Sequence, residues 1–257
     1  RVHEGLESNL VVEREVATGD AAAAIAEADL VIERTFRFRR HTGLSLETRG
    51  ILAEFEPAER RLTVHQSHQT PHQQQDLYAR LLNLPEHKVR VICPDVGGAF
   101  GLKHHLYADE LIACAAAVVL GRPVKFVADR FESFQSDIHC RDHEVQARIG
   151  FRADGSIAGL EIEDRFNAGA YGQHPRSSIA EGNQITRLTG APYRLGAYRA
   201  GLKMAFLNRG VLGHIRAVGH PIAAAVGEAL IDEAAGKLGR DPIDLRRQNY
   251  LKAADFP

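Results

Sequence analysis

Three glycines crowd the stretch Pro94–Lys103 (PDVGGAFGLK), at Gly97, Gly98 and Gly101. With no side chains at these points, backbone N–H groups can come close to an anion or an oxo ligand. The stretch joins a short strand-like run, Lys88–Cys93, to a helix-like run, Leu106–Leu120, whose N-terminal end would add partial positive charge. The spacing is neither the GxGxxG of a dinucleotide fold nor the GK[ST] ending of a P-loop, so both nucleotide readings fall away. A tight turn without function uses the same residues, and the glycines alone do not decide. The histidines offer a different chemistry. His65, His68 and His72, with His104 and His105, could form the zinc or iron site of a hydrolase or binding protein. Against that, no carboxylate lies beside them at a fixed spacing, and 13 histidines in 257 residues produce such groupings by chance.

Several elements must position these groups. Asn9–Val16 reads as extended, and Asp20 as the N-cap of the Ala-rich turn Ala21–Ala28. Leu30–Phe38 alternates apolar and polar residues as a half-buried strand does. Gly50–Phe55 and Arg61–His65 form a hairpin around Pro57–Arg60, and Pro71 opens a helix running to Leu82. Pro123–Val127 is a further strand. Glu144–Phe151 and Ser156–Phe166 flank Ala153-Asp154-Gly155, a hairpin turn. A helix near Ser177–Leu188, a strand near Tyr198–Phe206 and helices at Pro221–Leu238 and Pro242–Tyr250 complete the chain. The irregular alternation of strand and helix predicts a mixed α/β or α+β fold in one compact domain over 1–257, with a minor boundary near residue 140.

Composition narrows the partners. Lys+Arg total 32 against Asp+Glu 33, which leaves no basic surplus for a nucleic-acid backbone. No apolar run approaches the roughly 20 residues of a membrane span. Cys93, Cys114 and Cys140 are odd in number and far apart, as suits reduced thiols in a cytoplasmic protein, with no iron–sulfur pattern among them. The opening at Arg1 and the ending at Phe256-Pro257 are those expected of a fragment or a split subunit.

Ordered motifs carry a resemblance. GGAFGLK is similar to the GGGFGxK signature of the molybdenum-binding subunits of the xanthine dehydrogenase/aldehyde oxidase family, with Ala99 where a third glycine is usual. That alanine is tolerable only outside the positive-φ region. His65–Gln69 (HQSHQ) resembles the family's S-T-Q segment, and Ile215–Ile222 (IRAVGHPI) its [FY]RGxGxP segment. Leu46–Gly50 (LETRG) resembles the LEP-type segment, and Asp241–Tyr250 (DPIDLRRQNY) the DPxxLRxxN element. Together they run in order from Leu46 to Tyr250, over most of the chain.

The resemblance implies the first molybdenum-cofactor-binding domain of a molybdenum hydroxylase, which oxidises an aldehyde, an N-heterocycle or a similar activated C–H substrate with water-derived oxygen. Gly97, Gly98, Ala99, Phe100 and Gly101 would contact the molybdopterin, in its plain or cytosine dinucleotide form. Gln69 would hydrogen-bond near the metal and Arg216 would anchor close to it, the two carrying catalytic roles without ligating metal. His104 and Val218 would line the substrate pocket, and both depart from the purine-oxidising pattern of Glu and an aromatic. Ala217 stands where carbon monoxide dehydrogenases carry a copper-holding cysteine. The family's glutamate base belongs to a later domain, and its nearest mimic here, Glu228, falls in a helix. The partners implied are the remaining domains with that glutamate, and iron–sulfur and FAD centres on other domains or subunits. The domain would be inactive alone. A non-catalytic scaffold module is the further alternative, supported by the missing base and the apolar helix around Ala113–Val119.

Overall fold

The computed structural model describes residues 1–256; Pro257, the last residue of the expected domain, lies outside the described residues. The alternating run Leu30–Phe38 is strand β2 over those same residues. The other strands are β1 (Leu10–Thr18), β3 (Gly50–Glu56), β4 (Arg61–Gln66), β5 (Val89–Ile92), β6 (Val124–Val127), β7 (His143–Phe151), β8 (Ile157–Asn167) and β9 (Tyr198–Ala205). The helices are α1 (Ala21–Ala26), α2 (Pro71–Leu81), α3 (Ala108–Leu120), α4 (Arg130–Ser136), α5 (Ile179–Leu188), α6 (His220–Leu238) and α7 (Pro242–Asn249). Asp20 caps α1 by accepting the Ala23 N–H at 2.9 Å.

Two sheets result. One has five strands in the order β1-β9-β8-β7-β2, the other four in the order β5-β4-β3-β6. Each contains one parallel pair, β8–β9 and β4–β5, so both are mixed. The small sheet is therefore inserted between β2 and β7 of the large one. The chain crosses over twice, near residues 40 and 140, and the two crossings pair through an isolated bridge between His41 and Cys140. The expected boundary near residue 140 is one of those two crossings.

Each sheet buries a face under helices. Ile149, Phe151, Leu160 and Ile162 pack against Ile222, Val226, Leu230 and Ile231 of α6. In the small sheet Ile51, Ala53, Leu62 and Val64 pack against Tyr78 of α2 and Ala113, Cys114 and Ala117 of α3. A smaller cluster of Leu102, Tyr107, Ile138, Cys140 and Ile215 sits where the loops meet.

Two local features differ from expectation. The helix expected from Leu106 starts at Ala108, and Leu102–His104 forms a separate 3-10 turn. The extended backbone at His105 and Tyr107 breaks the path between them. Helix α4 lies in a stretch where no element is expected, although Asp129-Arg130-Phe131-Glu132 carries a capping box in which Asp129 and Glu132 satisfy each other's backbone N–H.

Candidate cofactor site

The glycine loop is held from below by Glu47. Its Oε2 accepts the Gly97 N–H at 2.8 Å, the Lys103 ammonium at 2.7 Å and the Ser67 hydroxyl. Lys103 is wholly buried, so its charge is compensated within the loop's foundation. Partial burial raises the Glu47 pKa, but the Lys103, Ser67 and Gly97 hydrogen bonds outweigh it and hold the carboxyl below its ordinary value. A side chain on Gly97 would place Cβ 2.6 Å from that of Glu47.

Above this foundation the backbone turns through the left-handed region at Gly98 (+98°), Phe100 (+55°) and Gly101 (+103°). Ala99 stays outside it, meeting the condition set by its methyl group, and the strained non-glycine position is Phe100 instead. The N–H groups of Gly98, Ala99 and Phe100 donate to no acceptor among the described residues. Successive free N–H groups of this kind form a concave anion receptor.

Two distant segments meet the loop. Gln69, between β4 and α2, donates its N–H to Lys103 O at 2.9 Å and accepts the Gly101 N–H on Oε1 at 3.0 Å. That second bond assigns the amide orientation and leaves the NH2 group as the uncommitted donor. Arg216, before α6, donates its N–H to Phe100 O at 2.8 Å, and its guanidinium carbon lies 4.5 Å from the centre of the Phe100 ring. The N–H groups of Ala217 and Val218 are free among the described residues, with Ala217 at φ +62°. Gly97, Gly98, Phe100, Gly101, Gln69 and Arg216 thus form one continuous cluster. Gln69, Gly97, Arg216 and Ala217 are exposed, so the cluster is an open face and not the enclosed cavity that its role leads one to expect. The largest concavity described, about 580 Å³, shares none of these residues and is lined by Phe38, Arg39, Arg165 and Phe166 among others.

His104 is half-buried, its N–H bonded to Gly101 O at 3.2 Å and its ring edge-on to His214. Val218 is half-buried on the Arg216 turn. His214 and His105 complete a group of three imidazoles with ring centres 4.9 to 6.0 Å apart. Burial, with neighbouring positive groups, depresses all three, His105 to about 3 and His214 to about 4. They are neutral near pH 7; the loop cluster carries the fixed charge of Arg216, and Arg176 is a second cation close to His104 and His214. Among the described residues no group of three or more His, Cys, Asp or Glu is arranged to hold a metal ion. His68 is instead spent on His105 O at 3.1 Å and the Thr70 N–H at 3.1 Å, while His65 and His72 are exposed. The histidine-metal reading therefore has no support in the geometry.

Three further expectations meet the structure. The N-terminal end of α3 does not serve the loop, because it begins seven residues past Gly101 and is occupied by Asp109 and Glu110, both bonded to Arg49. Arg49, to which its motif assigns no role, is fully buried. It also pairs with Asp137 at 2.6 Å and lies 3.8 Å over the Tyr107 ring. Nothing in local spacing links positions 49, 109 and 137. Glu228 accepts from the Tyr193 hydroxyl at 2.7 Å and pairs with Arg246 at 2.6 Å, a structural clasp between α6 and α7. Phe100 and Arg216 are in contact, whereas a pure scaffold would leave them far apart.

The donor set fits an anionic, oxygen-rich group. It offers free backbone N–H groups from two turns, one amide NH2 and the permanent cation of Arg216. Comparison with known proteins bears on what that group is. The family model described as the molybdopterin cofactor-binding domain matches residues 2–250. The gamma subunit of the 6-hydroxypseudooxynicotine dehydrogenase complex of Paenarthrobacter nicotinovorans is 33% identical over 94% of this chain. The carbon monoxide dehydrogenase large chain of Hydrogenophaga pseudoflava is 30% identical over 93% of it. The chain spans 30% of the length of each of these relatives. Quinoline 2-oxidoreductase from Pseudomonas putida 86 superposes with a TM-score of 0.93 at 31% identity, covering 98% of this chain and 32% of that one. The aldehyde oxidoreductase of Desulfovibrio gigas, at 22% identity and a TM-score of 0.90, shares the fold. The chain belongs to the molybdopterin cofactor-binding domain family of the xanthine dehydrogenase and aldehyde oxidase type.

Proposed function

We propose that this chain is the first cofactor-binding domain of a molybdenum hydroxylase large subunit, and that its open loop face is the surface on which the molybdopterin lies. One observation carries the reading: Gly98–Gly101, Gln69 and Arg216, from three separate stretches of sequence, are bonded to one another through Gly101 N–H and Phe100 O. When bound, the cofactor supplies two-electron oxidation with oxygen derived from water. The chain's own groups bind and orient it. Gly98, Ala99 and Phe100 offer N–H donors, Gln69 offers its NH2 group, and Arg216 places a fixed cation where negative charge develops. Any cytosine dinucleotide extension of the pterin would lie against the remaining length of the large subunit.

His104 and Val218 border the same face and are the substrate-side residues. Neither carries the carboxylate or the aromatic plane that purine oxidation uses, and Ala217 has no thiolate for copper. An N-heterocycle, an aldehyde or another activated C–H compound fits best, in line with relatives named for quinoline and 6-hydroxypseudooxynicotine. The glutamate base, the iron–sulfur centres and FAD belong to other domains or subunits of a complex. Such an enzyme, with three free thiols in this domain, suits the cytoplasm. No helix among the described residues is long and apolar enough to cross a membrane.

In the complete enzyme, Arg216→Ala and Gln69→Ala should each lower kcat by about 10²-fold, the scale of losing one preorganised donor. Both side chains are exposed, so the thermal midpoint should barely move. Wild-type turnover in both variants would refute the assignment.

A further inference from the structure

Behind the turn that carries Arg216 lies a buried ion pair with no part in the contacts described above. Arg141 and Glu181 are 6% and 1% exposed. Arg141 ends the second crossover, just before β7, and Glu181 stands in the first turn of α5. Glu181 accepts from the Arg141 backbone N–H at 2.9 Å and from its guanidinium. The same carboxylate reaches the Gly219 N–H at 3.4 Å, while Arg141 Nη2 donates to Arg216 O at 3.1 Å. One side-chain pair therefore grips the turn at both ends, the carbonyl at 216 and the N–H at 219.

The turn needs such a grip. Ala217 at φ +62° occupies a left-handed region that is unfavourable for a non-glycine residue, and within the turn the His220 N–H bond to Ala217 O at 2.9 Å is set against that strain. Gly219, at φ +73°, presses against α5 so closely that a Cβ would fall 2.7 Å from Glu181 O and 2.8 Å from Gln184 Cβ. The clamp is braced in turn. His143 Nε2 lies 3.5 Å from Glu181 Oε2, and its Nδ1 meets Asp164 at 2.8 Å. A buried ion pair adds little net stability over apolar packing, but removing one partner leaves a costly lone charge, so such a pair enforces one geometry more than it adds strength.

We propose that Arg141 and Glu181 are positioning residues, which hold the Arg216–Gly219 turn so that the free N–H groups of Ala217 and Val218 and the Arg216 guanidinium share the face of the Gly98–Gly101 loop. The functional consequence rests on the cofactor reading given above, and the geometry does not. Hydrogen–deuterium exchange on the complete enzyme tests it with Arg141→Lys and Glu181→Gln. Lysine can reach Glu181 or Arg216 O but lacks the fork to hold both. The amides of Arg216, Gly219 and His220 should exchange about tenfold faster, while those of residues 145–162 in β7 and β8 keep their wild-type rates. The kcat should fall with KM little changed, and Arg141→Lys should retain more activity than Arg141→Met.

Three results would overturn the clamp: unchanged exchange at the turn, equal acceleration throughout β7 and β8, or a loosened turn with wild-type kcat. A wild-type enzyme lacking molybdenum and pterin would instead refute the cofactor reading, and the exchange rates would then judge the clamp by themselves.

Discussion

Phe100 and Gly101 are the residues at which the loop has least freedom. The left-handed φ of Gly101 and the His214 carbonyl, 2.8 Å from where a Cβ would stand, both act against any side chain there. Gly101→Ala should therefore lower the thermal midpoint of the domain by several degrees, in keeping with a cost of roughly 1–3 kcal/mol. It should also reduce molybdenum content, because the displaced segment carries the Phe100 carbonyl that seats Arg216. Calorimetry with metal analysis checks both, and an unshifted midpoint would show that the loop relaxes freely. The imidazoles predict a pH dependence. Burial first, with nearby positive groups, holds His68 at about 4, His105 at about 3 and His214 at about 4, all below the ordinary 6.5. The unfolded chain then binds protons that the folded chain refuses, so stability falls as pH drops from 6.5 toward 4. Glu47 has the opposite charge and a lower window. Its contribution is intact above its ordinary 4.5 and disappears as pH falls through its depressed folded value. Thermal midpoints across that range check the sign, and replacing His68 and His105 together by Asn should flatten the upper part of the decline.

At the scale of elements, the strands and helices were legible because their apolar periods are local. β2 spans the expected residues, and most other boundaries fall within two residues of expectation. The GGAFGLK loop, the HQ end of β4 and the RAVG turn were legible as motifs. The buried charges that hold those motifs were not. Arg49 with Asp109, Glu110 and Asp137, and Arg141 with Glu181, join residues up to 88 positions apart, and no period marks a charge as buried. The start of α3 was misplaced for a related reason, since the buried Tyr107 is extended so that its hydroxyl can reach Leu102 O at 2.8 Å and accept the Ile138 N–H at 3.1 Å. Burial pushes Glu110 up to about 7 despite Arg49 beside it, which marks the cost of that centre. Arg49→Met should leave Asp109, Glu110 and Asp137 without their cation and destabilise the domain by about 3–5 kcal/mol. A yield of folded protein and a thermal midpoint equal to wild type would show that the carboxylates accept protons at little cost.

At the scale of the whole molecule, the two sheets act as a frame that brings three connecting segments to one face. The β4–α2 junction, the β5–α3 loop and the β9–α6 loop each supply one part of the cluster, and no single segment could. That face is open, and helix α3 also shows Ile112 at 64% and Val119 at 83% exposure. The chain spans 30% of the length of its relatives, and on the proposed reading the remainder of a large subunit would cover such surfaces. Elemental analysis of the purified complete enzyme, paired with pterin fluorescence after oxidation, decides whether the loop face receives a molybdopterin. Molybdenum near one atom per chain together with a pterin signal is the predicted result; stoichiometric zinc without pterin would contradict it.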